Sequence, residues 1–263
     1  MVGRTPRWDP AQYLRFGDER ARPFTDLVAR VDVTDVRRVV DLGCGPGTLT
    51  AGLCDRWPEA DVVGVDTSPE MIAAARPRGH GRLRFVEGDL RTWRPDAPVD
   101  VVVSNATLQW VPDHDRLLGD LVGLLRPGGE LAFQVPGNFD APSHRCIEET
   151  VTSARWRDLV DPAVLDRPRS HDADHYLRLL VGAGCAVDAW ETTYLHVLHG
   201  ERPVLEWVRG TALRPVLAAL DAAAHDAFCD DLAARLATAY PARDGRTVLP
   251  FRRIFVVARS AGG

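Results

Sequence analysis

The sequence predicts an α/β fold organised on a doubly wound, mostly parallel sheet, and three observations carry that prediction. Short valine-rich runs, Val39-Val40, Val62–Val65 and Val99–Val103, have the length and continuous apolarity of strands buried on both faces. Each is followed by a stretch of helical periodicity, giving a β-α-β-α order with no internal repeat and no low-complexity tract. The first run ends in Asp41 and then places glycines at alternate positions, Gly43, Gly45 and Gly47, directly before a helical pattern. Such a strand–loop–helix lets backbone approach a ligand closely and points helix-opening amides at it.

Taken in order, Trp8–Phe16 and Asp18–Val31 read as one broken or two short helices, with Pro23 marking a start. A segment placed before the first strand serves equally as a lid over a ligand or as a packing helix. Val36, Val39, Val40 and Leu42 form the first strand, and Thr48, Leu49, Leu53 and Trp57 the helix behind the loop. The glycine spacing departs from G-x-G-x-x-G, whose third glycine falls one place later, and a P-loop needs a lysine that this chain lacks altogether. Asp41 would repel a pyrophosphate but bind the ammonium of an amino-acid moiety. A nicotinamide site and a turn that binds nothing stay open as alternatives.

Asp61–Asp66 is the second strand, and Asp66, nineteen residues after Gly47, stands where a carboxylate accepts the vicinal hydroxyls of a ribose. Thr67 follows, then Ser68 as helix cap and Pro69 at the first helical position, with Met71 facing either an adenine or the core. Leu83–Glu87 is the third strand, with Gly88-Asp89-Leu90 at its tip, and Val99–Ser104 the fourth. Asn105 opens a loop through Gln109, Trp110 and Asp113-His114 that lines the floor of the ligand site; His114 reads as a capping or solvated residue rather than a base. A helix over 117–125 stops at Arg126-Pro127-Gly128-Gly129, and Glu130–Pro136 is the fifth strand.

Beyond Gly137 the period changes. Helices are expected over 143–160, 172–181, 203–213 and 221–240, with strands over 185–198 and 251–258. His171 and His175 are one turn apart, but the sequence offers no third ligand and no metal is expected.

Across its 263 residues the chain carries a formal charge of −5 and a pI near 5.9, which argues against nucleic acid as a partner. The absence of lysine excludes Schiff-base and pyridoxal chemistry. Five cysteines without a C-x-x-C pair suggest neither a disulfide framework nor a zinc knuckle. With no signal peptide and no apolar run of membrane length, a soluble cytoplasmic protein without membrane contact is expected.

The glycine loop from Asp41 to Gly47 resembles motif I of the class I S-adenosylmethionine-dependent methyltransferases, and Leu125-Arg126-Pro127-Gly128-Gly129 is similar to another habit of that family. The resemblance implies a seven-stranded, Rossmann-like sheet, S-adenosylmethionine as cofactor and S-adenosylhomocysteine as product, with Asp89 on the adenine amino group and Leu90 beside it. It goes further in Trp8-Asp9-Pro10, Tyr13-Leu14 and Phe16, Glu19-Arg20, Arg22-Pro23, Asn105-Ala106 through Gln109-Trp110 to Asp113-His114, Trp190-Glu191-Thr192-Thr193-Tyr194 and Phe251-Arg252-Arg253. These look like the members that esterify one carboxylate of trans-aconitate. A small anionic carboxylate substrate is thereby implied, and a single domain over 1–263 with its cofactor core at 32–136 and substrate-capping elements at 8–31 and 137–250.

A carboxylate is already an anionic nucleophile, so no catalytic base is expected. An arginine gripping the reacting carboxylate would blunt it; arginines should hold the other two, and Arg22 and Arg253 are the candidates. Tyr13, Tyr194 and His196 are candidate hydrogen-bond donors, with Gln109 and Trp110 lining the site. A methyltransferase for an amine or phenol, and a regulator that binds the cofactor without turnover, would share every cofactor residue.

Overall fold

The computed structural model describes residues 17–166 and 169–261, with side chains from residue 21 onward. Seven strands form one sheet in the order β3-β2-β1-β4-β5-β7-β6. They are β1 (Arg38–Leu42), β2 (Asp61–Asp66), β3 (Leu83–Glu87), β4 (Val99–Asn105), β5 (Leu125–Pro136), β6 (Ala186–His199) and β7 (Arg246–Arg259). The first five pair in parallel and β7 runs antiparallel to β5. Between the strands lie α1 (Gly17–Val28), α2 (Thr48–Arg56), α3 (Pro69–Ala75), α4 (His114–Val122), α5 (Pro142–Val151), α6 (Ala173–Gly182), α7 (Pro203–Arg209), α8 (Arg214–Ala219) and α9 (His225–Ala239).

The valine runs become central strands because both faces of a parallel sheet are covered: Val39, Val62, Val101, Val102 and Val103 are all fully buried. Strand β2 and the Ser68–Pro69 helix start lie where the pattern places them. Several boundaries differ, among them the helix expected over 203–213, which ends at Arg209, and the strand expected over 251–258, which starts at Arg246. Helix α1 begins six residues before Pro23, which sits inside it; the segment expected at 8–16 lies outside the described residues. Strand β5 starts at Leu125 rather than Glu130, because the β4–β5 register shifts between Val99 and Val101 and takes up the Arg-Pro-Gly-Gly turn. The helix expected over 143–160 stops at Val151.

The chain divides into two compact units. Among the described residues one takes 17–137, 169–192 and 253–261, and holds β1–β5, the first half of β6 and the second half of β7. Its core runs from Val40 and Leu42 through Leu118, Leu121 and Phe133 to Tyr176 and Ile254. Trp190 stacks on Phe255 with ring centroids 4.9 Å apart. The other unit takes 138–166 and 193–252; in it α9 packs on α5 and α7, Trp156 meets Phe228 edge-on, and Tyr240 Oη accepts the Ser143 amide at 3.0 Å. No helix among the described residues is long and apolar enough to cross a membrane.

Candidate functional site

Parallel pairing brings the ends of β1, β2, β3 and β4 to one edge of the sheet, and with them the glycine loop, Asp66, Asp89 and Asn105. Gly43, Gly45 and Gly47 all have left-handed backbone, with φ of 82°, 55° and 76°. A Cβ on Gly47 would fall 2.6 Å from the Phe85 ring, so packing as well as conformation requires that glycine, whereas a Cβ on Gly45 would meet nothing within 4 Å. Gly45 therefore presents bare backbone to open space. The loop is pinned to β2 by the Gly43 and Cys44 amides, which donate to Val65 O at 2.8 and 3.1 Å. Cys44 is buried there, and burial together with the Asp41 and Asp66 charges drives its thiol far above the usual range.

Asp66 accepts the Gly45 amide on one carboxylate oxygen and the Ser68 amide on the other, each at 2.9 Å. Each oxygen keeps a lone pair, and the residue is half-buried at the strand tip. Thr67 is exposed, Ser68 Oγ accepts the Met71 amide at 3.2 Å, and Met71 is buried with Ile72 and Ala75. The Asp89 carboxylate receives the Arg91 Nε at 2.9 Å and the Arg91 amide at 2.9 Å, and the arginine's hydrogen bonds hold it below the usual carboxylate range. Leu90 is buried in the core.

Asp41 is buried, and its carboxylate accepts a hydrogen bond from Thr50 Oγ1 at 2.6 Å. Burial lifts its pKa to about 7 against the lowering effect of Thr50, with the Asp66 charge adding to the rise. Thr50 is a partner that the helical pattern alone did not single out.

The loop after β4 continues the site. Gln109 Nε2 donates to Ala106 O at 2.6 Å, and its Oε1 is buried without a hydrogen-bond partner. Asn105 Oδ1 is likewise buried and unpartnered, and Asn105 lies in register with Gln134 of β5. Gln134 accepts Arg253 Nη1 at 3.0 Å through Oε1, while its Nε2 has no partner. In the sequence, Gln134 is marked only as an amide inside the otherwise apolar Leu131-Ala132-Phe133-Gln134-Val135. Arg253 is buried at the head of the β7 segment that pairs with β5. Trp110 is 38 % exposed.

The remaining candidates lie on other elements. Tyr194 and His196 are buried in the unit that holds α5 and α9, where His196 stacks on Trp207 at 4.7 Å. Arg22 is exposed on α1, 3.9 Å from Asp26. Tyr13 lies outside the described residues. His114 is neither cap nor solvated: Asp113 occupies the cap position, and the imidazole is buried between Val111 O at 3.3 Å and Tyr176 Oη at 2.8 Å.

Residues 39–129 match the family model described as a methyltransferase domain. The chain is 53 % identical over 266 residues to the trans-aconitate 2-methyltransferase of Streptomyces avermitilis, covering 98 % of each chain. It is 55 % identical to the trans-aconitate 2-methyltransferase of Mycolicibacterium gilvum, covering 96 % of this chain and 98 % of that one. Among solved structures, the YcgJ protein of Bacillus subtilis superposes with a TM-score of 0.58 at 14 % identity, over 92 % of this chain and 99 % of that one, which speaks for the fold alone. Identity above one half along nearly the whole length, on a seven-stranded sheet of this order, places the chain in the trans-aconitate 2-methyltransferase family of class I methyltransferases.

Proposed function

We propose that this protein transfers the methyl group of S-adenosylmethionine to a carboxylate of trans-aconitate, giving the monomethyl ester and S-adenosylhomocysteine. The residues at the sheet edge fit that cofactor. Gly45 offers backbone with open space beside it, Asp66 keeps two lone pairs for ribose hydroxyls, and Asp41 supplies a carboxyl group that suits an ammonium and opposes a pyrophosphate. Bound there, the cofactor supplies an electrophilic methyl on a cationic sulfonium.

The observation that carries the substrate assignment is the buried Arg253 guanidinium bonded to Gln134, whose amide nitrogen is left without a partner two residues from the end of β5. A guanidinium and an unsatisfied amide N–H are donors, and donors suit a carboxylate. Arg253 holds a carboxylate that does not react, and Gln134 fixes the guanidinium and offers its free N–H to the same acid. Holding two reactants in line is worth roughly 7–11 kcal/mol, and excluding water raises the nucleophilicity of the attacking oxygen. The chain needs no base, because the nucleophile carries no proton at neutral pH.

Single-turnover methyl transfer at saturating cofactor tests this directly. Free carboxylates titrate near pH ~4, so the rate with trans-aconitate should be flat from about pH 6 to 8.5. A steep climb across that range, or turnover of amines or phenols in preference to tricarboxylates, would sink the assignment.

A further inference from the structure

Four donor groups that the methyl-transfer chemistry leaves unused converge between the start of α4 and the segment that opens α6. His114, Asp115 and His171 bring ligand atoms within 4.8 Å of one another, a grouping with no second instance among the described residues. His175 joins them: its Nε2 lies 2.8 Å from Asp115 Oδ2, and its ring stacks on His171 with centroids 3.9 Å apart. His171 Nε2 faces the other carboxylate oxygen at 3.6 Å, beyond hydrogen-bond length. Asp115 Oδ1 is consequently buried, without a hydrogen-bond partner, and aimed among imidazoles.

We propose that this cluster binds a borderline divalent transition-metal ion, Zn²⁺ or its neighbours Co²⁺ and Ni²⁺, through Asp115, His171, His175 and His114. One carboxylate and three imidazoles are the donor set such ions prefer, and magnesium and calcium, which take oxygen ligands, are disfavoured. Tetrahedral bonds of about 2.0–2.1 Å set donor atoms about 3.3 Å apart, so His114 and His171 must close in while His175 Nε2 draws back slightly from Asp115. Two of the four sit on partly exposed side chains, His171 at 45 % and His175 at 39 %, which are able to make such shifts.

The surroundings match what a ligating histidine needs. The Nδ1 of His114 lies against Val111 O, the backbone-carbonyl bond that fixes the tautomer presenting Nε2 to a metal. Burial lowers the basicity of this imidazole and keeps it in the neutral form that binds. The Tyr176 hydroxyl, which shares His114 Nε2 at 2.8 Å, also accepts the His171 amide at 3.0 Å and so has a partner to keep when a metal takes its place. Asp172, adjacent to His171, is occupied as the cap of α6, accepting the His175 amide at 2.9 Å, and Asp174 pairs with Arg178 at 2.7 Å; neither competes as a ligand. Because His114 bonds to Val111, a metal here would tie the loop carrying Gln109 and Trp110 to α6.

The test uses the full-length protein without a histidine tag, stripped with a chelator and titrated with Co²⁺. The expected result is saturable binding of one equivalent with the intense visible absorption of low-coordinate cobalt, displaced by Zn²⁺, and a rise in Tm on adding Zn²⁺. Asp115→Asn and His171→Ala should each weaken cobalt binding by tenfold or more and abolish the Tm rise; the exposed position of His171 keeps that variant folded, which circular dichroism verifies. Absence of saturable cobalt absorption in the parent protein, or affinity unchanged in both variants, would overturn the site.

Discussion

The two ends of the same parallel sheet treat their buried polar groups in opposite ways. At the amino end, Asp100 accepts the Arg37 and Arg38 amides at 2.8 and 2.7 Å together with the Arg126 guanidinium, and Glu130 accepts the Asp32 amide at 3.0 Å and Arg259 Nε at 2.9 Å. At the carboxyl end, Asn105, Gln109 and Gln134 each bury an atom with no partner, and Asp41 has one hydroxyl. An unmade buried hydrogen bond costs about 1–3 kcal/mol, so several at one edge are places for a ligand or an ordered water to complete. Saturation marks the end that holds the sheet together, and its lack marks the end where the proposed site lies.

Substitutions can break this contrast. The largest effect is expected from Arg253→Ala, which removes a buried charge and orphans Gln134 Oε1. Its kcat/KM for trans-aconitate should fall by about 10²–10³-fold with the cofactor Kd unchanged; equal losses for both ligands in steady-state and calorimetric measurements would make Arg253 a structural residue.

Asp100→Ala should do the reverse, lowering unfolding free energy by about 2–4 kcal/mol while leaving cofactor affinity alone. Burial pushes the Asp100 carboxyl up, but the bonds from Arg126 and the two amides outweigh it and hold the pKa below the usual value. Its contribution is therefore present above the unfolded pKa near 3.8 and lost as pH falls through the native value. Urea titrations at pH 7 and at pH 3 should show the variant's deficit shrinking in acid; a deficit of the same size at both would contradict the ion-pair origin.

Asp66→Ala should weaken S-adenosylmethionine by about 1.5–3 kcal/mol, the scale of a charged hydrogen bond, and unchanged affinity by calorimetry in the folded variant would remove the ribose assignment. The smallest effect sharpens the comparison most. With its pKa raised to about 7, Asp41 is protonated in the native protein at mildly acidic pH, so its effect on stability is lost progressively from about pH 4 up to 7. An ammonium ligand favours the ionised form, so cofactor affinity should rise with pH through about 7. Asp41→Asn should flatten both trends, gain about 1 kcal/mol of stability at pH 8 and bind cofactor more weakly; a pH dependence that survives the substitution would point to another group.

The cofactor edge was legible in the sequence because its information is local. Strand, acid and glycine loop follow one another directly, and Asp66, Ser68 and Pro69 form one strand-end and helix-start signature. What escaped depends on residues distant in the chain. Gln134 acquires meaning only from Arg253, 119 residues away, and the histidine pair at 171 and 175 lacked a third ligand until folding brought Asp115 beside it, 60 residues from His175. His114 looked solvated because helix starts usually are; Tyr176 of α6 covers it. The start of β5 escaped because a register shift absorbs a turn sequence that reads as a strand boundary.

The cysteine held within the glycine loop has a consequence for redox chemistry. Thiols react with peroxides, disulfides and alkylating agents as thiolates, and the burial and neighbouring acids that keep Cys44 protonated also withhold that reactive form. Oxidants therefore meet the more exposed Cys54 on the following helix before they reach the thiol at the centre of the loop.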